Sequence, residues 1–410
     1  MTTEDPPSSP PGGRGIFREN VAEFQHPCLS ELAFGPHGSS ERTPAVLPAL
    51  PDRGVSARAA LEGEIAAAFG ERPVFVSFSG GRDSSAVLAV AVAVARRIGV
   101  PVPTPVILRY PGDIESDETA WQERVLDHLS LDNAVVIEVT GSSTYLDAAV
   151  QRNLRRRGLL WPPALQLDDP LLAHTRGGTV LTGEGGDEVL GTRRITPLTL
   201  LRMGRRPDLG LLGWAARSLV PRRAIGPLVR RESARNPLIG WLTPAGRSAL
   251  IRARVRDDRR PLHWGEETRQ IAGGVAPVML GHNFDLVARE YDVVVRHPLL
   301  APPFLAALAV EGGRWGYAGR THAMRELFDD LLPDDVLART TKASFGAVRW
   351  GEPEREFART WDGGGVPRDL VDVDALRAEW LSERPAGASA LLLHAAWMHA
   401  NDVPLEGVRL

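Results

Sequence analysis

The sequence predicts an α/β fold, with helices on both faces of a parallel sheet and a mainly helical C-terminal part. Three observations support this class. Short apolar runs rich in β-branched residues alternate with helix-period segments between residues 56 and 200. Glycine and polar residues typical of turns follow these runs, and strand-like runs fade beyond residue 200. Strands that alternate with helices form βαβ units, and these units build parallel sheets.

The predicted strands and helices follow one another in a regular order. The strands are apolar runs at residues 73–78, 105–110, 134–139 and 179–182. The helices have apolar residues three and four positions apart, at residues 56–69, 86–98, 117–129 and 144–156. Each of the last three helices therefore joins two strands, as a crossover connection requires.

Composition divides the chain into four predicted segments. Residues 1–55 are rich in Pro, Gly and Ser and predict a disordered or loosely packed arm. Residues 56–200 are predicted to form the α/β core, 201–275 an Arg-rich helical insert, and 276–410 a mainly helical C-terminal part. Residues 201–260 hold 15 Arg against 4 acidic residues. A solvated basic face explains this excess, and contact with an acidic substrate or peptide is the alternative.

Charge and cysteine content limit the class of protein. The formal net charge of −3 argues against a general nucleic-acid binder. The longest apolar run, residues 86–95, is about half of the ~20 residues that a membrane span needs. The N-terminus lacks the basic and apolar regions of a secretory signal. Cys28 is the single cysteine, so no internal disulfide can form, and we expect a cytoplasmic protein.

The first motif with chemical content follows the strand predicted at 73–78. It reads Ser79-Gly80-Gly81-Arg82-Asp83-Ser84-Ser85 and leads into a helix. Glycines allow close backbone approach to a ligand, and free N–H groups at a helix start attract phosphate oxygens. Asp83 is unusual in an anion site unless Mg²⁺ binds together with the phosphates. The alternative is a glycine turn with helix-capping Ser and Asp residues.

A second motif follows the strand predicted at 179–182. It reads Thr182-Gly183-Glu184-Gly185-Gly186-Asp187-Glu188. Its three carboxylates repel one another unless a cation lies between them, and Mg²⁺ with an incoming amine would supply the positive charge. The alternative is a strained turn with solvated acidic residues.

Lys342 is the only lysine among 48 basic residues. Arginine can replace lysine wherever a solvated charge is sufficient, but it cannot supply a compact ammonium group with a titratable proton. This solitary lysine therefore predicts a functional role, with chance as the alternative.

The two motifs together resemble a known family. The string SGGRDSS resembles the pyrophosphate-binding PP-loop, SGGxDS, of the ATP pyrophosphatases. With GEGGDE about a hundred residues later, the chain resembles the synthetase domain of asparagine synthetase, β-lactam synthetase and the lasso-peptide macrolactam cyclases. Residues 116–118, 296–300 and 331–346 extend the resemblance, which covers about residues 56–350. It implies that residues 56–200 are the PP-loop nucleotide-binding core and that residues 276–410 complete the active site.

The resemblance implies a fold, two cofactors and a set of site residues. The fold would be the five-stranded parallel PP-loop sheet, which is adenine nucleotide α-hydrolase-like, and the cofactors ATP and Mg²⁺. ATP and pyrophosphate would bind at Ser79, Gly80, Gly81, Asp83, Ser84, Ser85, Gly183 and Gly185. Asp83 and Asp187 would hold Mg²⁺, and Lys342 would stabilise charge on the α-phosphate. Glu184 would take the proton of the amine, at a position where β-lactam-forming relatives have tyrosine.

Some positions depart from the family pattern. The nucleophilic cysteine of a glutaminase domain is replaced by Thr2, so we expect free ammonia, ammonia from a separate glutaminase, or an amine already on a substrate. Val294 and Ala301 replace acidic residues, and Arg339 is one residue out of register. These departures affect the expected substrate pocket more than the ATP site, so aspartate is not the assured substrate.

The predicted function is an ATP-dependent ligase that activates a small-molecule or peptide carboxylate as acyl-AMP and joins it to ammonia or an amine. A lactam or macrolactam cyclase would use the same mechanism. An RNA-modifying PP-loop enzyme is a second alternative, which the near absence of cysteine disfavours, and a non-catalytic relative is a third. No membrane partner is expected.

Overall fold

The computed structural model describes residues 23–36, 54–111, 117–139, 143–233, 239–257, 261–341 and 349–405. At its centre lies a five-stranded sheet in the order β3-β2-β1-β4-β5. The strands are β1 (Val74–Ser77), β2 (Thr104–Arg109), β3 (Val135–Glu138), β4 (Thr179–Leu181) and β5 (Val294–Arg296). All four strand pairings are parallel. The predicted α/β class with a five-stranded parallel sheet is confirmed.

Helices make up most of the remaining described structure. In chain order, α1 to α19 are Leu29–Phe34, Ala57–Ala66, Arg82–Ile98, Thr119–Leu129, Ala148–Arg157, Asp169–His174, Gly186–Val189, Thr196–Arg202, Leu209–Arg217, Arg222–Ser233, Pro244–Asp257, Trp264–Ala272, Val275–Arg289, Pro302–Gly312, Arg320–Phe328, Asp334–Leu337, Glu352–Thr360, Val373–Trp380 and Ala390–Ala400. Short 3₁₀ helices span Pro163–Leu167, Pro298–Leu300 and Gly387–Ser389.

The strand order places a crevice between β1 and β4. From β1 the chain moves outward to β2 and β3, and it then returns to the other side of β1 to form β4 and β5. Phe75 of β1 pairs with Thr104 on one side and with Val180 on the other. Ligands of open parallel sheets bind beyond the carboxyl ends of the strands, at the point where the strand order reverses. Both glycine-rich motifs begin at this point.

Two large apolar clusters support the crevice. The first joins the sheet to α3, whose residues from Ser84 to Val92 are all buried, and to α14 and α15. The second lies among α5, α18 and α19 and includes Trp241 and Trp380. Burial of each large apolar side chain in these clusters stabilises the folded chain by roughly 2–3 kcal/mol.

Part of the N-terminal region is packed against this second cluster. Leu32 and Ala33 are buried, and the indole N–H of Trp241 donates to the carbonyl oxygen of Ala33 at 3.3 Å. The division into four segments stays a prediction.

Within the described residues, no single helix has the length and apolar composition of a membrane span. Only α12 and α13, a pair bent by 43°, meet those two criteria together.

Candidate active site

The two glycine-rich loops are in direct contact. A Cβ atom on Gly183 would lie 2.6 Å from the backbone nitrogen of Ser84. A Cβ atom on Gly186 would overlap the carboxylate of Asp83. Such distances exclude any side chain unless the backbone moves. The glycines of the second loop therefore allow it to pack against the first.

The first loop is shaped by its own serines. Gly80 adopts a φ of +83°, a conformation that favours glycine. The hydroxyl of Ser84 accepts a hydrogen bond from the N–H of Ser79 at 3.3 Å and donates to the carbonyl oxygen of Gly81 at 3.1 Å. The loop ends at Gly81, the N-cap of the 17-residue helix α3. Helix α3 therefore begins at the cavity, four residues earlier than predicted.

Arg320 joins the two carboxylates that were predicted to hold metal. Its guanidinium group contacts Oδ2 of Asp83 at 2.5 Å and Oδ1 of Asp187. It is the first residue of α15, where a cation is unfavourable next to the positive end of the helix dipole. The sequence analysis did not find this residue. A cation at the start of a helix is the signal that could have revealed it.

Arg339 braces the first loop from the C-terminal side. It donates to the carbonyl oxygen of Gly80 at 3.0 Å and pairs through two nitrogens with the carboxylate of Glu118. The side chains of this ion pair are only 5% and 7% exposed. The guanidinium group also lies 4.6 Å from the ring centroid of Trp121. Arg339 is one residue out of register with the arginine of the family pattern, but these contacts stabilise the first loop.

The second loop is supported by the segment that follows β5. The hydroxyl of Thr182 accepts the backbone N–H of Glu184 at 3.3 Å and lies 2.7 Å from Nδ1 of His297. Burial lowers the pKa of His297 to about 4, so the imidazole is neutral at pH 7. Gly185 has a φ of +88°, and a Cβ atom there would overlap Leu300. Residues 297–300 therefore fix the shape of the second loop.

A cavity of about 600 Å³ opens between the loops, within the range of small-molecule sites. The predicted site residues that line it are Ser79, Gly81, Asp83, Ser84, Gly183, Glu184, Gly185 and Asp187. Two other predicted residues do not line the cavity. Gly80 of the first loop is buried, and Ser85 is fully buried within α3. Lys342 lies outside the described residues.

Asp168 is a cavity residue that sequence reasoning missed. It precedes α6, and its side chain lines the cavity together with Leu171 and Phe284. Burial raises the pKa of Asp168 to about 6, although Arg349 and Arg157 act in the opposite direction. Its sequence neighbourhood, Asp-Asp-Pro, is typical of an ordinary helix start and gave no signal of a site.

The two aspartates suit a magnesium ion that binds together with a nucleotide. Asp83 and Asp187 share one guanidinium group, and Oδ1 of Asp83 is buried with no hydrogen-bond partner among the described residues. No group of three or more His, Cys, Asp or Glu residues in the described ranges could hold a metal ion alone. Mg²⁺ commonly takes one or two carboxylates and completes its shell with phosphates and water, so the pair fits.

The comparison with protein families agrees with this geometry. A family model described as asparagine synthase matches residues 57–399, well over half of the chain, and includes both loops, Arg320 and Arg339. None of the curated proteins compared with the chain matches it.

Proposed function

Because the chain belongs to the asparagine synthase family, we propose that it converts a carboxylate and ATP into an acyl-adenylate, and then an amide. Membership supports an ATP-dependent ligase or amidotransferase in general. The finer proposal rests on one observation: the loop that begins α3 and the loop that follows β4 share one cavity and hold Asp83 and Asp187 on the same cation.

The proposed reaction has two bond exchanges. In the first, a carboxylate oxygen bonds to the α-phosphorus of ATP, and the bond from that phosphorus to the bridging oxygen of the β-phosphate breaks, releasing pyrophosphate. In the second, an amine nitrogen bonds to the acyl carbon, and the acyl–oxygen bond breaks so that AMP leaves. The neutral amine nitrogen loses one proton, which Glu184 would accept, and its exposure in the cavity lining supports this role.

The phosphates would bind at the start of α3. Unpaired N–H groups and the positive end of the helix dipole favour phosphate oxygens there. Ser79 and Ser84 line the same cavity. Asp83 and Asp187 would hold Mg²⁺, which neutralises phosphate charge when bound. Arg320 would then release at least one carboxylate and donate to a phosphate oxygen.

Lys342 is proposed to stabilise negative charge on the α-phosphate and on the tetrahedral adduct. It is the sole lysine of the chain, and its preceding neighbour, Thr341, lines the cavity. The family resemblance of the surrounding stretch supports the same role.

The products of ATP turnover test the proposal. The purified chain would be incubated with ATP, Mg²⁺ and a panel of carboxylates, with hydroxylamine as a small acceptor, and its nucleotide products separated by chromatography. We expect AMP and pyrophosphate, together with hydroxamate formation. Release of ADP and orthophosphate would contradict the adenylation mechanism. An Asp187→Asn variant is the control for contaminating ATPases, since it should lose the activity at least 100-fold.

A further inference from the structure

Asp168 is a cavity carboxylate that the two-step chemistry above does not use. A helix that precedes a parallel strand runs back against the strand direction. The first residue of such a helix therefore lies at the edge where the strands end. Asp168 immediately precedes α6, which leads into β4, and it lines the cavity at this edge.

Asp168 differs from the paired cavity carboxylates in its partners. Asp83 and Asp187 pair with Arg320, and Glu118 pairs with Arg339. By contrast, no group in the described ranges donates a hydrogen bond to the carboxylate of Asp168.

The two cations that act on Asp168 at longer range bind elsewhere. The guanidinium group of Arg349 donates to Ser143 and Tyr110, and that of Arg157 pairs with Asp169 and Glu290. Among the described residues, no cation therefore pairs directly with Asp168, which lines the cavity.

The cavity that Asp168 lines also has apolar lining residues. Leu171 and Phe284 line the same cavity and are 2% and 5% exposed. They belong to α6 and α13, the helices that lead into β4 and β5, whereas the first loop follows β1. This acidic and apolar corner therefore lies on the side of the second loop, which carries Glu184.

We propose that Asp168 binds the ammonium group of an organic primary amine, which is the acceptor in the amide-forming step. The carbon skeleton next to the nitrogen would pack on Leu171 and Phe284. Ammonia has no carbon skeleton and could not pack on Leu171 and Phe284. The amine would bind as the cation and pass one proton to Glu184 before it attacks, and the second proton that amide formation releases would leave on the phosphate group of AMP. Its nitrogen would then bond to the acyl carbon as AMP leaves. This inference rests on the proposed function and narrows its acceptor to aliphatic primary amines.

Calorimetric titration of the full chain tests the binding without requiring the carboxylate substrate. The probes are 2-phenylethylammonium chloride and its uncharged analogue 2-phenylethanol. We expect Asp168→Asn to weaken binding of the ammonium probe at least tenfold and to leave binding of the alcohol within twofold. The matched control is Asp285→Asn, which removes a carboxylate from α13 beside Phe284 but outside the cavity lining. It should bind both probes as the unaltered chain does.

Two outcomes would overturn the inference. One is equal affinity of the ammonium probe for the unaltered chain and Asp168→Asn. The other is a tenfold loss of ATP affinity in Asp168→Asn, since Asp168 would then contact the nucleotide. Failure of the proposed function gives a different result, the absence of AMP and pyrophosphate, while probe binding still depends on Asp168. Circular dichroism of both variants confirms that they are folded.

Discussion

At the scale of single residues, Arg320 compensates the negative charges of Asp83 and Asp187. It lies 237 positions from Asp83 and 133 positions from Asp187 along the chain. Local patterns identified both aspartates, because each follows a strand within a glycine-rich loop. No local pattern could pair them with an arginine so distant in sequence. In the structure, the guanidinium group of Arg320 lies between the two carboxylates that were predicted to hold the metal ion.

Replacing Arg320 should change the affinity of the aspartate pair for divalent cations. In Arg320→Gln the two carboxylates lose their guanidinium partner, so we expect Mn²⁺ to bind the nucleotide-free chain at least tenfold more tightly. ATP should bind at least tenfold more weakly, because a phosphate donor is lost. Electron paramagnetic resonance of free Mn²⁺ measures the first effect. The control is Arg325→Gln, which lies on the same helix as Arg320 and breaks an exposed ion pair with Asp334 of α16. Unchanged Mn²⁺ affinity would contradict the account.

Removing the charge of Asp168 should stabilise the fold within a defined pH range. Its pKa is about 6 in the folded chain, above its ordinary value of 3.8. Below about pH 4 the carboxyl group is protonated in both states and costs nothing, whereas above pH 6 it is charged in both and destabilises the fold. Asp168→Asn should therefore gain on the order of 1–3 kcal/mol at pH 8 and almost nothing at about pH 3. Urea unfolding at the two pH values measures this difference, and an equal gain at both would refute it.

The start of α3 and the second loop define the site at the scale of elements. The sequence predicted four of the five strands close to their observed positions, because each is an apolar run with turn residues after it. It did not locate β5, because Val294–Arg296 ends in a charged residue and is followed by His-Pro-Leu-Leu rather than by glycine-rich turn residues. It also placed the start of α3 late, because the polar string SGGRDSS is typical of a loop although Arg82 already lies in the helix.

A methyl group at Gly186 should separate the two loops. In Gly186→Ala the new Cβ would overlap Asp83, so we expect a loss of roughly 1–3 kcal/mol of stability and at least a tenfold loss of ATP affinity. Gly213→Ala in α9 is the matched control, because no atom lies within 4 Å of its Cβ position. That change should stabilise the chain by about 0.5–1 kcal/mol through helix propensity. Thermal unfolding and ATP titration measure both variants. Unchanged ATP affinity in Gly186→Ala would be inconsistent with the loop contact.

The whole molecule brings together residues from most of the chain at one sheet edge. The cavity is lined by residues from Ser77 to Thr341. We expect C-terminal residues to complete the site, and in the structure Arg339 contacts Gly80 and Glu118. The acceptor side could not be predicted, because Asp168, Leu171 and Phe284 carry no shared motif and meet only through the fold. The role of Lys342 stays a prediction.

The central claim is that the loops following β1 and β4 form one site for ATP and Mg²⁺. A crystal structure of the chain with α,β-methylene-ATP and Mg²⁺ tests it most directly. We predict phosphates at the start of α3, a metal ion about 2.0–2.1 Å from carboxylate oxygens of Asp83 and Asp187, and Arg320 released from at least one of them. A nucleotide bound elsewhere, or one bound here while Arg320 still bridges both aspartates without a metal ion, would contradict the claim.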